Sequence, residues 1–482
     1  MIAISSVAFM LGPIMMGLAL LMLAPCVVAW SIDSPDLKAF LTSEAATIGV
    51  ALALFAATRG KKPRLRVREM FLLTNLSWGL VCLFGALPFM LSHTVGSLTD
   101  AVFESVSGVT TTGATVLTGL DSLPSDILLW RSMMQWIGGL GIIALGTAVL
   151  PFLRIGGMRL FRTESSDLSE KALPRTRRIL SQLLLVYLAL SVACAISYRL
   201  GGMNAFDAIN HAMTTVSTGG FSTHDNSFAF FESTAIESIA MVFMLLAAMP
   251  FMLYLPLLLG RPTTVLRDSQ VHSMLGIYFS VAALLVAWLV MTEQMAGAVA
   301  LREATFNVIS IATTTGYVSS DYMNWGGFAI LAFFFLTFVG GCSGSTSGGI
   351  KVFRFKIAFV MFRETIQRLL HPNATFSRNM QGRPLNDDIV ASVMAFALTF
   401  AVTVGIAAIL LAALGNDFVT SFSAAATAAA NVGPGIGDNI GPTQNFAGFT
   451  DASKWIVCAV MILGRLEIFT VLILLMPDFW RS

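Results

Sequence analysis

Ten stretches of this chain are apolar over a length that crosses about 30 Å of hydrocarbon. They are residues 8–30, 41–58, 70–92, 127–153, 179–200, 234–259, 272–291, 325–350, 389–414 and 452–476. A backbone inside a bilayer has no water to bond, so it must satisfy its own amides in helices or in a closed barrel. Runs this long and uniformly apolar predict helices. Composition agrees, because 12% charged residues against 56% hydrophobic ones cannot coat a soluble surface. The expected fold class is an all-α integral membrane protein.

The connections between these stretches alternate in charge. Residues 59–68, 154–178, 261–268 and 351–383 together hold 22 of the 29 Lys and Arg residues. Only Lys38, Arg131, Arg199, Arg302 and Lys454 fall in the opposite connections. Positive charge marks the cytoplasmic side, which puts the basic connections and both termini inside. Flanking spans argue against nucleic acid as the partner of those clusters. No basic segment precedes the first apolar run, so it reads as a retained span rather than a cleaved signal. The five cysteines are scattered and none forms a CxxC pair, which excludes a disulfide framework.

The outer connections repeat. Asp100 precedes Gly113 by thirteen positions, as Asp207 precedes Gly220 and Glu303 precedes Gly316. Each interval begins as a short helix-like segment and ends in hydroxyl residues and glycine: Thr110-Thr-Thr-Gly113, Ser217-Thr-Gly-Gly220 and Thr313-Thr-Thr-Gly316. The fourth copy, Thr420 through Asn431-Val-Gly433, keeps the spacing without the acid or the threonines, and Gly435 competes with Gly433 for its register. One Thr-Thr-Gly is ordinary turn chemistry. Four at matched spacing on one side of the membrane imply fourfold pseudosymmetry. A half-span helix with an extended return is tolerated at that depth only where it lines a water-filled cavity. Four such returns around one axis would offer backbone carbonyls to a dehydrated cation, and glycine permits the dihedrals required.

These residues resemble the Trk/Ktr/HKT superfamily of potassium transporters, specifically the TrkH type. The carriers are Thr110-Thr-Thr-Gly-Ala114, Val216-Ser-Thr-Gly-Gly-Phe221, Thr313-Thr-Thr-Gly-Tyr317, Asn431-Val-Gly-Pro-Gly435, the stretch Gly340-Gly-Cys-Ser-Gly-Ser-Thr-Ser-Gly-Gly-Ile-Lys351 and Gly464-Arg-Leu-Glu467. The resemblance implies four membrane-helix/pore-helix/membrane-helix repeats around a central pore, preceded by two extra transmembrane helices. Its boundaries here are 1–68 for the leading helices and basic loop, 69–178, 179–268, 269–385 with the glycine-rich intramembrane loop, and 386–482 for the repeats. It implies a K⁺ filter of Thr111, Thr112, Gly113, Thr218, Gly219, Gly220, Thr314, Thr315, Gly316, Asn431, Val432 and Gly433, with glycine in all four repeats favouring K⁺ over Na⁺. It also implies a homodimer in the bacterial inner membrane, served by a cytosolic nucleotide-binding ring subunit of the TrkA type.

Three more features carry alternatives. Residues 340–351 break the eighth apolar stretch with five glycines and four hydroxyl residues. A phosphate-binding loop would need Gly-Lys-Ser/Thr, which is missing. A small-residue helix interface is one reading. By resemblance the stretch is a gate built from Gly344, Ser345, Thr346, Ser347, Gly348, Gly349 and Lys351. Arg465 sits within the last apolar stretch, where a cation is costly and needs a cavity or a partner; by resemblance it is an electrostatic barrier beside that gate, otherwise half of a structural ion pair. Asp100, Asp207 and Glu303 either concentrate cations at the outer mouth or cap helix N-termini. His211 reads as a packed residue, since no ligand cluster accompanies it.

The resulting expectation is potassium uptake through a four-repeat filter, with K⁺ as the cargo, no organic cofactor and no nucleic acid partner. The competing expectation is a secondary transporter of a small solute with a midplane site. Nothing in the sequence pairs a nucleophile with a base, so an enzyme is not expected.

Overall fold

The structure, a computed structural model, describes residues 3–60, 66–146, 172–258, 260, 265, 267–372, 379–380 and 383–481. Two long helices lead, α1 (Ile4–Ser31) and α2 (Leu37–Ala57). The first unit comprises α3 (Val67–Gly85), α4 (Leu98–Val109) and α5 (Ser125–Ala144), and the second α6 (Ala172–Leu200), α7 (Ala205–Val216) and α8 (Thr234–Ala248). The third holds α9 (Ser269–Met291), α10 (Gly297–Ala312) and α11 (Gly327–Leu336). After α12 (Val352–Leu370) the fourth unit follows as α13 (Asp387–Ala413), α14 (Phe418–Ala430) and α15 (Asp451–Arg465). Apart from a two-residue antiparallel ladder pairing Asn379 with Pro384 and Met380 with Arg383, the described residues are helix and loop.

The short helices α4, α7, α10 and α14 are the half-spans expected from the repeat. Three begin at a side-chain cap, where Ser97, Asn204 and Asp417 accept the amides of Asp100, Asp207 and Thr420. They are buried nearly all round: every residue of α4 from Ala101 to Val109 is enclosed. The long helices show lipid the opposite surface, with Leu20, Leu185, Leu284 and Leu398 all more than half exposed. An exposed apolar side chain on such a helix faces hydrocarbon rather than water.

Seven helices are long and apolar enough to span a membrane among the described residues, and they match seven of the ten expected stretches. The fourth expected stretch is described only to residue 146, and most of the basic connection 154–178, with Lys61, Lys62 and Arg64, lies outside the described residues. The other three stretches are not continuous helices. Thr234–Ala248 and Phe251–Leu257 meet at 93°, and Asp451–Arg465 and Phe469–Leu475 at 103°. The third, after α11, passes through the glycine-rich stretch without forming a helix. Pro250 accounts for the first break, since it lacks an amide to bond; at the second, Glu467 takes a left-handed φ of 60°. Residues 352–370, expected as part of a basic loop, form the helix α12.

Packing ties the leading hairpin to the first unit. Trp130 of α5 is fully buried, donates its indole N–H to Gly85 O at 3.0 Å, and meets Phe40 of α2 edge-on at 6.5 Å. Lipid gives helices no hydrophobic reason to associate, so fit and hydrogen bonds decide. Trp130→Ala should destabilise the protein by about 3 kcal/mol or more, and Trp130→Phe by clearly less, measured as thermal unfolding in detergent.

Candidate functional site: a ring of four pore loops

The four half-span helices end in one geometry. In α4 the amide of Thr111 bonds Gly108 O at 2.9 Å and that of Thr112 bonds Ser107 O at 2.9 Å. The same pair recurs as Thr218 to Thr215 and Gly219 to Thr214, as Thr314 to Ile311 and Thr315 to Ser310, and as Asn431 to Ala428 and Val432 to Thr427. This is the helix ending that normally places glycine in the left-handed region. Here Thr111, Thr218, Thr314 and Asn431 occupy it, with φ of 51°, 52°, 60° and 55°. A β-branched residue there is strained, and strain of this kind collects at functional positions.

Two residues on, Gly113, Gly220, Gly316 and Gly433 also take positive φ, from 80° to 106°. A methyl on Gly113 would lie 2.3 Å from Gly219 O, on Gly220 1.9 Å from Thr315 O, on Gly316 2.1 Å from Val432 O, and on Gly433 2.6 Å from Thr112 O. These contacts run from unit one to two, two to three, three to four and four to one. The ring closes. In the fourth unit Gly433, not Gly435, takes part; a methyl on Gly435 would meet Ile440 instead. The Asn431 amide group joins the fourth strand to the first by donating to Thr112 Oγ1 at 3.0 Å and reaches Met461 O at 2.9 Å. Outside the ring a vestibule is lined by all four glycines together with Arg131, His224, Asp225 and Gln444.

Below the ring lies the glycine-rich stretch. Gly348 N donates to Thr314 Oγ1 at 2.6 Å, Ser347 Oγ lies 3.1 Å from the same hydroxyl, and Gly349 N reaches Ala430 O at 2.8 Å. The carbonyls left open where α8 breaks are taken by this loop: Cys342 N bonds Ala248 O at 2.9 Å and Thr346 Oγ1 bonds Ala247 O at 3.1 Å. Ser345 Oγ turns back on Cys342 O, and Gly344 returns the favour by accepting Phe251 N. Lys351, itself at a φ of 65°, donates to Ser347 O at 2.5 Å. Arg465 donates to Thr346 O at 2.9 Å, while its Nε and Nη2 are buried without a hydrogen bond. Arg465 and Glu467 do not pair with each other; Glu467 binds Arg354 at 2.5 Å. Loop, Lys351, Arg465 and Glu467 line one small cavity beneath Asn431.

Two of the three acids sit at helix starts. Asp100 is the third residue of α4 and binds Lys454 at 2.6 Å; Asp207, the third of α7, accepts Thr223 Oγ1 at 2.7 Å. Glu303 lies further into α10, beside Arg302. His211 packs among Phe228, Phe231 and Tyr317 and bonds Asp207 O and Ser222 Oγ.

Two further sets, of which the sequence reading singles out only His211, stand at a fixed offset before the ring glycine, the second set in three units of the four. Six residues before it stand Ser107, Thr214, Ser310 and Thr427, all hydroxyl residues. Nine before it, Glu104, His211 and Asn307 latch the strand leaving the ring: Glu104 accepts Val116 N at 3.1 Å, His211 bonds Ser222, and Asn307 bonds Ser319. In the fourth unit Ser423 does this, bonding both N and O of Ile436. Glu104 also forms a buried ion pair with Arg131 at 2.8 Å, and Arg131 continues to Ser222 O and the face of Phe221.

A membrane protein whose four pore-loop units close a carbonyl-and-glycine ring is built to pass a small cation. The TrkH family, described as cation transport proteins, matches residues 37–481. Over 466 residues the chain is 46% identical to the Trk system potassium uptake protein TrkI of Halomonas elongata, covering 96% of this chain and 94% of that one. It is 37% identical over 476 residues to TrkH of the same organism, covering 98% of each. It superposes on the crystal structure of the potassium transporter TrkH from Vibrio parahaemolyticus with a TM-score of 0.92 at 35% identity, covering 100% of both. The chain belongs to the TrkH family of cation transport proteins.

Glu104→Leu should destabilise the fold by about 3–5 kcal/mol by stranding Arg131, and adding Arg131→Met should recover more than half of that loss in the same unfolding assay. In the vestibule His224 binds Asp121 at 2.5 Å and Asp207 at 3.1 Å. Partial burial alone would lower its pKa, but the two carboxylates outweigh it and hold the imidazole above its ordinary value. The bridge is therefore complete below the ordinary imidazole pKa of about 6.5 and is lost as pH rises through the raised one. Between pH 6 and 9 the melting temperature should fall by about 1–2 °C more in the wild type than in His224→Gln.

Proposed function

We propose that this chain carries K⁺ into the cell across the bacterial inner membrane, through the ring of Thr111, Thr112, Gly113, Thr218, Gly219, Gly220, Thr314, Thr315, Gly316, Asn431, Val432 and Gly433. The observation that carries the reading is the closed set of four glycine-to-carbonyl contacts between units. A ring held by backbone fixes the spacing of its oxygens, which suits a dehydrated monovalent cation of one size. The relatives' names supply potassium as that cation. A solute transporter with a midplane site is less well supported, because no observation comparable to the four-way ring of contacts favours it.

The loop containing Gly344, Ser345, Thr346, Ser347, Gly348, Gly349 and Lys351 is the gate in this reading. It touches the strand of unit three through Thr314 and the end of α14 through Ala430, so its withdrawal would open the floor beneath the ring. Arg465, held by the loop through one nitrogen, places a positive charge under the ring while the loop is in place. Opening is assigned to a second polypeptide, a cytosolic nucleotide-binding ring of the TrkA type acting on a homodimer, with both termini of this chain on the cytoplasmic side. The unit boundaries 1–68, 69–178, 179–268, 269–385 and 386–482 follow the same reading.

Purified protein in liposomes should take up ⁸⁶Rb⁺ in a manner blocked by external K⁺ and little affected by Na⁺. Gly113→Ser should narrow that difference by roughly tenfold or more, the factor set by about 1.4 kcal/mol of lost discrimination. Deleting residues 344–349 should raise the flux. A deletion variant that passes no cation would end the pore reading.

A further inference from the structure

The second strand of the ring differs from the others. At the position before the ring glycine the units carry Thr112, Gly219, Thr315 and Val432, so only the second lacks a side chain there. That space is filled from the neighbouring unit. A methyl on Gly219 would lie 2.4 Å from both Cδ and Oε1 of Gln135 and 2.9 Å from its Nε2. Gln135 belongs to α5 of unit one and is fully buried. Its Nε2 donates to Gly219 O at 2.7 Å, and its Oε1 accepts Phe221 N at 3.0 Å. One carboxamide thus grips the strand on both sides of Gly220. The carbonyl it holds is the one that Gly113 packs against, so it fixes the seam between units one and two.

We propose that Gln135 is a positioning residue for ion selection: it sets the Gly219 carbonyl in the ring from outside the strand, and Gly219 is glycine because Gln135 occupies its side-chain space. Phe221 N and Gly219 O cannot both be satisfied by an apolar or a shorter side chain at 135. An ionised glutamate there keeps the acceptor and loses the donor, freeing the carbonyl while preserving shape. The effect falls on the choice between K⁺ and Na⁺ rather than on assembly. This inference rests on the potassium-filter reading above.

The test is ⁸⁶Rb⁺ uptake by the full-length protein in liposomes, with K⁺ and Na⁺ as competitors, for wild type, Gln135→Glu, Gln135→Leu, Gly219→Ala and the double variant Gly219→Ala/Gln135→Ala. The ratio of the two inhibition constants is the readout, beside gel-filtration profile and melting temperature. The ratio should fall roughly tenfold in Gln135→Glu and Gln135→Leu, as expected when a buried hydrogen bond that fixes the seam between units one and two is lost. Gly219→Ala alone should abolish flux or folding, and the double variant should regain folded protein and flux. An unchanged ratio in Gln135→Glu and Gln135→Leu overturns the proposal. So does a tolerated Gly219→Ala in the wild-type background, or a double variant no better folded than Gly219→Ala. If wild type itself shows no preference for K⁺, it is the filter reading that fails.

Discussion

Every amide that leaves helical geometry inside a bilayer must find a partner within the protein, and this molecule leaves helical geometry at several neighbouring places. The four ring strands do so, and so do the breaks after Ala248 and Arg465 and the loop after α11. The solutions interlock. Strand amides turn back onto the last turns of their own pore helices, while the loop takes the carbonyls that the broken α8 leaves open. Neither the loop nor the broken helix has its polar groups satisfied alone. The irregular layer is therefore a single cooperative structure, and a change in the loop is felt at the ring through Thr314 and Ala430.

The ring stores strain to hold its shape. Three threonines and an asparagine sit in left-handed backbone, a region costing roughly 1–2 kcal/mol for each residue other than glycine. Such a conformation persists only where the surroundings overdetermine it. The side chains nine positions before the glycines provide that determination on the outer side: Glu104, His211, Asn307 and, displaced by one, Ser423 each latch an outgoing strand. Four chemically different groups perform one mechanical task. Arg131 extends it laterally from Glu104 to Ser222, joining unit one to unit two.

Much of this was legible in the sequence, because hydropathy and repeat spacing report on length and symmetry. The seven unbroken spans, the pore helices and the thirteen-residue interval needed no three-dimensional information. What stayed hidden depends on partners distant in the chain. The run 234–259 reads as one span because its hydropathy is continuous; the break at Pro250 becomes affordable only once Cys342 and Thr346 supply donors nearly a hundred residues on. Residues 352–370 read as a basic loop because their charges dominate, yet Arg354 is buried against Glu467 and its guanidinium lies 3.6 Å from the Phe396 ring. The choice between Gly433 and Gly435 turns on a contact with Thr112, more than 300 residues away.

The ring is drawn from four unlike quarters of one polypeptide, and this has an evolutionary consequence. In an assembly of four identical subunits, a single mutation strikes every wall of the pore at once. Here a codon change alters one wall and leaves three intact. The ring can therefore change in small steps, one quarter at a time. Asn431 and Val432 already stand where the other quarters carry threonine or glycine beside their ring glycines.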